Sequence, residues 1–88
     1  MNYEAIIHAV VDSIVENPDS ILIRTISEDE KDVVLLIASD KEDTARLIGR
    51  KGSVANAIRE VMSVIGKSEG RRIHLKFESF DNGEDEED

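Results

Sequence analysis

Two glycines bracket two cations at Gly49-Arg50-Lys51-Gly52, in the middle of otherwise helix-forming sequence, and this is the stretch whose residue types could do chemistry. Glycine at both ends permits positive φ angles and close approach by another backbone, because no Cβ stands in the way. Arg50 and Lys51 bring positive charge to the tip. The helix that restarts after Gly52 begins with unpaired N–H groups and the positive end of its dipole. Such a turn suits a phosphate group. It is not a nucleoside-triphosphate loop, which requires Gly-x-x-x-x-Gly-Lys-Ser/Thr.

The other reactive side chains do not converge in the sequence, and catalysis needs convergent polar groups. His8 and His74 are remote from one another, and Ser53 has no evident base partner. His8 sits beside Glu4 and Asp12, off the apolar stripe, which predicts a solvent-facing residue. His74 alternates with Arg72 and Lys76 on what reads as an exposed strand face. The acidic run Glu28-Asp29-Glu30-Lys31-Asp32 lacks the glycine and alternating oxygen ligands of a calcium loop. Cysteine is absent, which excludes disulfides, thiolate metal sites and cysteine nucleophiles. A protein that is not an enzyme, with no metal and no cofactor, is expected.

The chain has 88 residues, enough for one small domain, with 40% hydrophobic and only 3% aromatic residues, so its core must be built from Ile, Val, Leu and Ala. Its formal net charge of −9 argues at first against a polyanionic partner. The distribution argues otherwise. Residues 1–40 sum to −7, residues 41–76 to +5 and residues 77–88 to −7, and the positive middle contains the glycine-bracketed turn. Glu4 stands where a secretory signal would carry basic residues, and no apolar run approaches the roughly 20 residues that span a bilayer. A cytoplasmic location and no membrane partner are expected.

The elements that must position the turn follow from periodicity. Tyr3, Ile6, Ile7, Val10, Val11, Ile14 and Val15 recur as one stripe of an amphipathic helix, capped by Asn2 and ended by Asn17-Pro18. Residues 20–27 and 33–38 read as strands joined by the acidic run, a connection short enough for an antiparallel hairpin. Ser39 or Asp40 caps a brief second helix, with Asp43 in the place of a capping-box acid, and that helix stops at Ile48-Gly49. Val54, Ile58, Val61, Met62 and Ile65 predict the buried face of a third helix ended by Gly66. Residues 72–78 alternate polar with apolar as a half-buried strand, with Ile73, Leu75 and Phe77 toward the helices. Residues 81–88 are almost wholly acidic and read as a disordered tail beyond a single domain of residues 1–80.

The resulting order, α-β-β-α-α-β, predicts an α+β two-layer fold: a three-stranded mixed sheet with three helices on one face. With Ile48-Gly49-Arg50-Lys51-Gly52 followed by Val54, Ala55 and Ile58, the sequence resembles the K-homology (KH) domain in its type II arrangement. Its size resembles the small stand-alone bacterial KH proteins, the KhpA-like family. The resemblance implies an RNA-binding protein whose Gly-x-x-Gly loop clamps the backbone of short single-stranded RNA, acting as a post-transcriptional regulator or RNA chaperone. It assigns that role to Ile48, Gly49, Arg50, Lys51 and Gly52, with Ser53 and Asn56 beside them, where stand-alone members often have a basic residue. Ala55 replaces the usual Ile or Leu and implies a shallower groove floor. The resemblance also implies a homodimer, or a heterodimer with a larger KH-containing protein.

On physical grounds Arg46 and Arg59 extend the positive field of the turn. None of the three aromatics, Tyr3, Phe77 and Phe80, lies in the positive middle segment, so stacking of bases on aromatic rings is not expected. The competing reading keeps the fold but not the RNA: a protein–protein interaction module whose acidic surfaces recruit a basic or KH-containing partner. Two cations at the tip discriminate against it, since an inert loop has no need of them.

Overall fold

The computed structural model describes residues 1–80, and the expected acidic tail at 81–88 lies outside them. Three helices, α1 (Tyr3–Val11), α2 (Lys41–Ile48) and α3 (Ser53–Ser68), and three strands, β1 (Leu22–Glu28), β2 (Asp32–Ser39) and β3 (Arg72–Ser79), follow in the order α-β-β-α-α-β. The sheet runs β1-β2-β3, antiparallel between β1 and β2 and parallel between β2 and β3. This is the two-layer mixed-sheet fold that the periodicities predict.

The core lies between one sheet face and the helices. Val33, Leu35 and Ile37 alternate along β2, join Ile23 and Leu75 from the neighbouring strands, and meet Tyr3, Ile7, Val11, Leu47, Ile58 and Met62 from α1, α2 and α3. Ile73 and Phe77 of β3 pack against the same cluster, half-buried. Burying Leu35, Ile7 or Met62, each almost fully removed from water, contributes about 1.5–3 kcal/mol.

The hairpin between β1 and β2 is closed by Asp29, whose carboxylate accepts from the N–H groups of Lys31 (2.8 Å) and Asp32 (2.7 Å). Those two bonds stabilise the ionised form and hold the carboxyl below the usual carboxylate range. A bulge between Thr25 and Ser27 leaves Ile26 exposed. Glu4 of α1 accepts from both Thr25 N–H (3.0 Å) and Thr25 Oγ1 (2.9 Å), tying α1 to β1.

Three boundaries differ from expectation. The regular helix α1 ends at Val11, not at Asn17, because the chain continues in turns that aim the Glu16 and Asn17 N–H groups at the Asp43 carboxylate, 2.9 and 3.0 Å away. Residues 18–20 form a short 3₁₀ turn, so β1 starts at Leu22. Helix α3 runs past Gly66 to Ser68, since Gly66 is a packing residue there and Gly70, at φ +73°, takes the left-handed terminal position. A Cβ on Gly66 would lie 2.6 Å from Ile73 Cγ1 and 2.7 Å from the Arg71 carbonyl oxygen.

The buried stripe of α3 is Ala55, Ile58, Met62 and Gly66, flanked by half-buried Val54 and Ile65. Val61, expected in that stripe, is 45% exposed because it is turned one helical position, about 100°, off it. Among the described residues, no helix is long and apolar enough to cross a membrane.

Candidate nucleic-acid interface

Helix α2 carries the glycine-bracketed turn, and buried polar contacts fix where α2 sits. Asp40 caps it by accepting from Asp43 N–H at 2.7 Å. Asp43 does not act as a capping-box acid. Its side chain is 1% exposed and accepts from Glu16 N–H, Asn17 N–H and Arg46 Nη1 (2.7 Å). The Glu16 N–H contributes most to holding this carboxyl below the usual range, with Asn17 and Arg46 adding to it and burial opposing. On the sheet side, Thr44 Oγ1 lies 2.6 Å from Ser39 Oγ and 3.3 Å from the Glu78 carbonyl oxygen. Leu47 is fully buried. Helix α2 is therefore held from three directions, through its first turn and through Leu47, and the loop after it inherits a defined position.

Gly49 ends α2, donating its N–H to the Ala45 carbonyl at 2.9 Å, with φ 74° and ψ 177°. Only glycine adopts that backbone routinely. A Cβ at Gly49 would also overlap the Val54 side chain and lie 2.9 Å from Val54 N. Residues 50–52 then form one 3₁₀ turn, closed by Gly52 N–H to the Gly49 carbonyl at 3.2 Å. Lys51 is held at φ 56°, ψ 27°, a left-handed conformation that costs a residue with a Cβ about 1–2 kcal/mol. Gly52, at φ 79°, leads directly into α3, which starts without a side-chain cap.

Arg50 and Lys51 are exposed and have no ion-pair partner among the described residues. Beside them Ile48 is 38% exposed. Ser53 and Asn56 are exposed on the first turn of α3, while Ala55 is buried against the core. Together they present apolar surface, two free cations and the uncapped amides of α3 around one turn, an arrangement able to hold a phosphodiester against the glycine backbone.

Two expected contributors behave differently from that cluster. Arg46 is balanced locally, 2.7 Å from Asp43 and 3.9 Å from Glu16, and so adds little field at the turn. Arg59 lies farther along α3, with its guanidinium carbon 5.2 Å from the centroid of the Phe77 ring and Nη2 3.4 Å from the Leu75 carbonyl oxygen. An aromatic ring is thereby brought to the edge of the positive segment. Sequence reasoning missed Phe77 because β3 is distant in the chain and acidic at its end. It missed the tying role of Asp43 because a capping position explains that residue locally. Among the described residues, no group of three or more His, Asp or Glu is placed to hold a metal ion.

The chain is 31% identical over 72 residues to the RNA-binding protein KhpA of Aquifex aeolicus, covering 82% of this chain and 90% of that one. With the RNA-binding protein KhpA of Listeria monocytogenes the identity is 30% over 74 residues, 84% and 96% of the two chains. With that of Bacillus subtilis it is 32% over 78 residues, 89% and 91%. No solved structure gives a significant match. The family model described as KhpA/KhpB, KH domain, matches residues 4–77, and the chain belongs to that KH-domain family.

Proposed function

We propose that this protein binds single-stranded RNA by clamping its backbone with Ile48-Gly49-Arg50-Lys51-Gly52, with Ser53 and Asn56 alongside, and acts in the cytoplasm as a post-transcriptional regulator or RNA chaperone. One observation carries the reading: two cations without an ion-pair partner among the described residues lie between glycines at φ 74° and 79°, immediately before a helix with no side-chain cap. The relatives named RNA-binding proteins support it. Phosphates meet Arg50, Lys51 and the first N–H groups of α3, while Ile48 meets the bases. An anisotropy titration with short single-stranded RNA tests this, Arg50→Asp with Lys51→Asp being expected to abolish binding while thermal melting stays near wild type.

The partner side of the proposal is a second copy or a larger KH-containing protein. Ala57, Val61 and Val64 support it, since they fall four and three residues apart on the exposed side of α3, and Val64 is 69% exposed. Sedimentation of Val64→Asp beside wild type tests it: an assembly larger than one chain in wild type should be lost in the variant.

A further inference from the structure

We propose that Arg59 is a base-stacking platform, its guanidinium presenting one planar face to a nucleobase while the other face rests on Phe77. This rests on the RNA-binding reading above and names how the site engages bases as well as phosphates. Gly52, Asn56 and Arg59 fall four and three residues apart and therefore share one face of α3, leading away from the loop. Asn56 lies over Gly52, with its Nδ2 3.9 Å from where a Gly52 Cβ would be. Arg59 Nη1 donates to Asn56 Oδ1 at 3.3 Å, and Nη2 donates to the Leu75 carbonyl oxygen at 3.4 Å. A continuous line of contacts thus runs from the turn to β3.

Arg59 is seven residues beyond Gly52, about 10 Å along a helix rising 1.5 Å per residue. That distance falls within the reach of the four nucleotides that a loop of this kind clamps. Three contacts fix the guanidinium in a plane, two hydrogen bonds and the 5.2 Å approach to the Phe77 ring, while the residue as a whole remains exposed. A side chain already ordered in this way loses little rotamer freedom when a base stacks on it. Stacking tolerates any base, so the platform adds affinity with only a preference for larger rings.

The test uses full-length protein, a tetranucleotide of adenosines as single-stranded RNA, and the four versions lacking one base each. Arg59→Lys keeps the charge and removes the plane, and Phe77→Leu keeps an apolar support while removing the ring. Wild type should lose about 10-fold in affinity when one particular base is missing. Arg59→Lys should lose about the same on the intact tetranucleotide and nothing further on that abasic one, with Phe77→Leu losing part of it. Melting curves verify that both variants fold. Wild-type affinity in Arg59→Lys, or an equal loss on all abasic versions, overturns the platform. A wild type indifferent to base removal yet broken by Arg50→Asp with Lys51→Asp overturns the platform alone. A wild type that binds no tetranucleotide overturns the platform and the loop reading together.

Discussion

Two turns in this molecule have nearly the same ingredients and different fates. The turn after α2, residues 49–52, places two cations between glycines; the end of α3 and the turn that follows it, residues 66–72, also contain two glycines, Gly66 and Gly70, with Lys67, Arg71 and Arg72 beside them. In the second turn the backbone is consumed: Arg71 N–H reaches the Gly66 carbonyl at 2.8 Å and Gly70 N–H the Lys67 carbonyl at 3.1 Å, the two bonds of a Schellman motif. Its arginines are consumed as well, Arg71 by Glu28 at 2.7 Å and Arg72 by Asp32 at 2.9 and 3.0 Å. The Arg72 guanidinium, with His74, holds the Asp32 carboxyl well below the usual carboxylate range. A cleft of about 250 Å³ lined by Lys31, Lys67, Gly70, Arg71 and Arg72 therefore has both of its arginines matched by acids, while Lys31 and Lys67 have no ion pair among the described residues. Glycine and positive charge are common to both turns; they differ in that both arginines of the second are paired with acids, whereas neither cation of the first has an ion-pair partner among the described residues.

The largest effect should come from reversing the charge of the first turn. Arg50→Asp with Lys51→Asp should lower RNA affinity at least 100-fold by anisotropy, whereas Lys67→Asp should change it less than 3-fold. Stability should shift by no more than about 0.5 kcal/mol per site, since both side chains are exposed and Asp tolerates the left-handed Lys51 conformation. Equal losses in the two turns would erase the distinction drawn between them.

Stability should reverse the ranking. Gly66→Ala forces a Cβ onto Ile73 and the Arg71 backbone and should lower the melting temperature by about 10 °C or more, while Gly70→Ala, with open space around it, should cost only about 1 kcal/mol for its positive φ. In the first turn, Gly49→Ala should resemble Gly66→Ala in melting and in addition lose RNA binding. A Gly66→Ala protein with wild-type melting would show that the close approach to Ile73 relaxes freely.

Acid should act on the support of the first turn. The Asp43 carboxyl titrates lower in the folded chain than in the unfolded one, so its contribution is present above its ordinary value near 3.8 and is lost as pH falls through its lower folded value. Urea midpoints measured from pH 7 down to pH 2 should decline over that acid range, and Asp43→Asn should flatten the part due to this group. A still smaller signature is the salt dependence of RNA binding. Two or three neutralised phosphates give a slope of log K against log salt of about −1.5 to −2, and a slope steeper than about −4 would mean that the second turn also contributes.

Much of this was legible in the sequence, and the failures have a common cause. Apolar periodicity suffices for six elements in order, because burial of one face is what creates both the period and the fold. The turn is legible because two glycines with cations between them satisfy a local rule. Asp43, Gly66 and Phe77 were not legible in their actual roles, since their partners lie at Glu16, Ile73 and Arg59, and no local rule names a distant partner. Val61 was misplaced by a single helical position because a valine fits a buried stripe and an exposed one equally well as a letter.

The parallel pairing of β2 with β3 has a kinetic consequence. Every pair in that register, from Asp32 with Arg72 to Ser39 with Ser79, joins residues 40 positions apart, and the glycine-bracketed turn lies inside the segment so enclosed. Closing a long segment before its contacts are rewarded is slow compared with forming a hairpin or a helix. During synthesis the β1–β2 hairpin has all its residues early, and α2 can already meet β2 through Ser39, but α3 gains its main strand support only when β3 has emerged. The α3 side of the turn is thus packed last, and a chain interrupted before residue 72 carries the Gly-x-x-Gly letters with α3 lacking its strand.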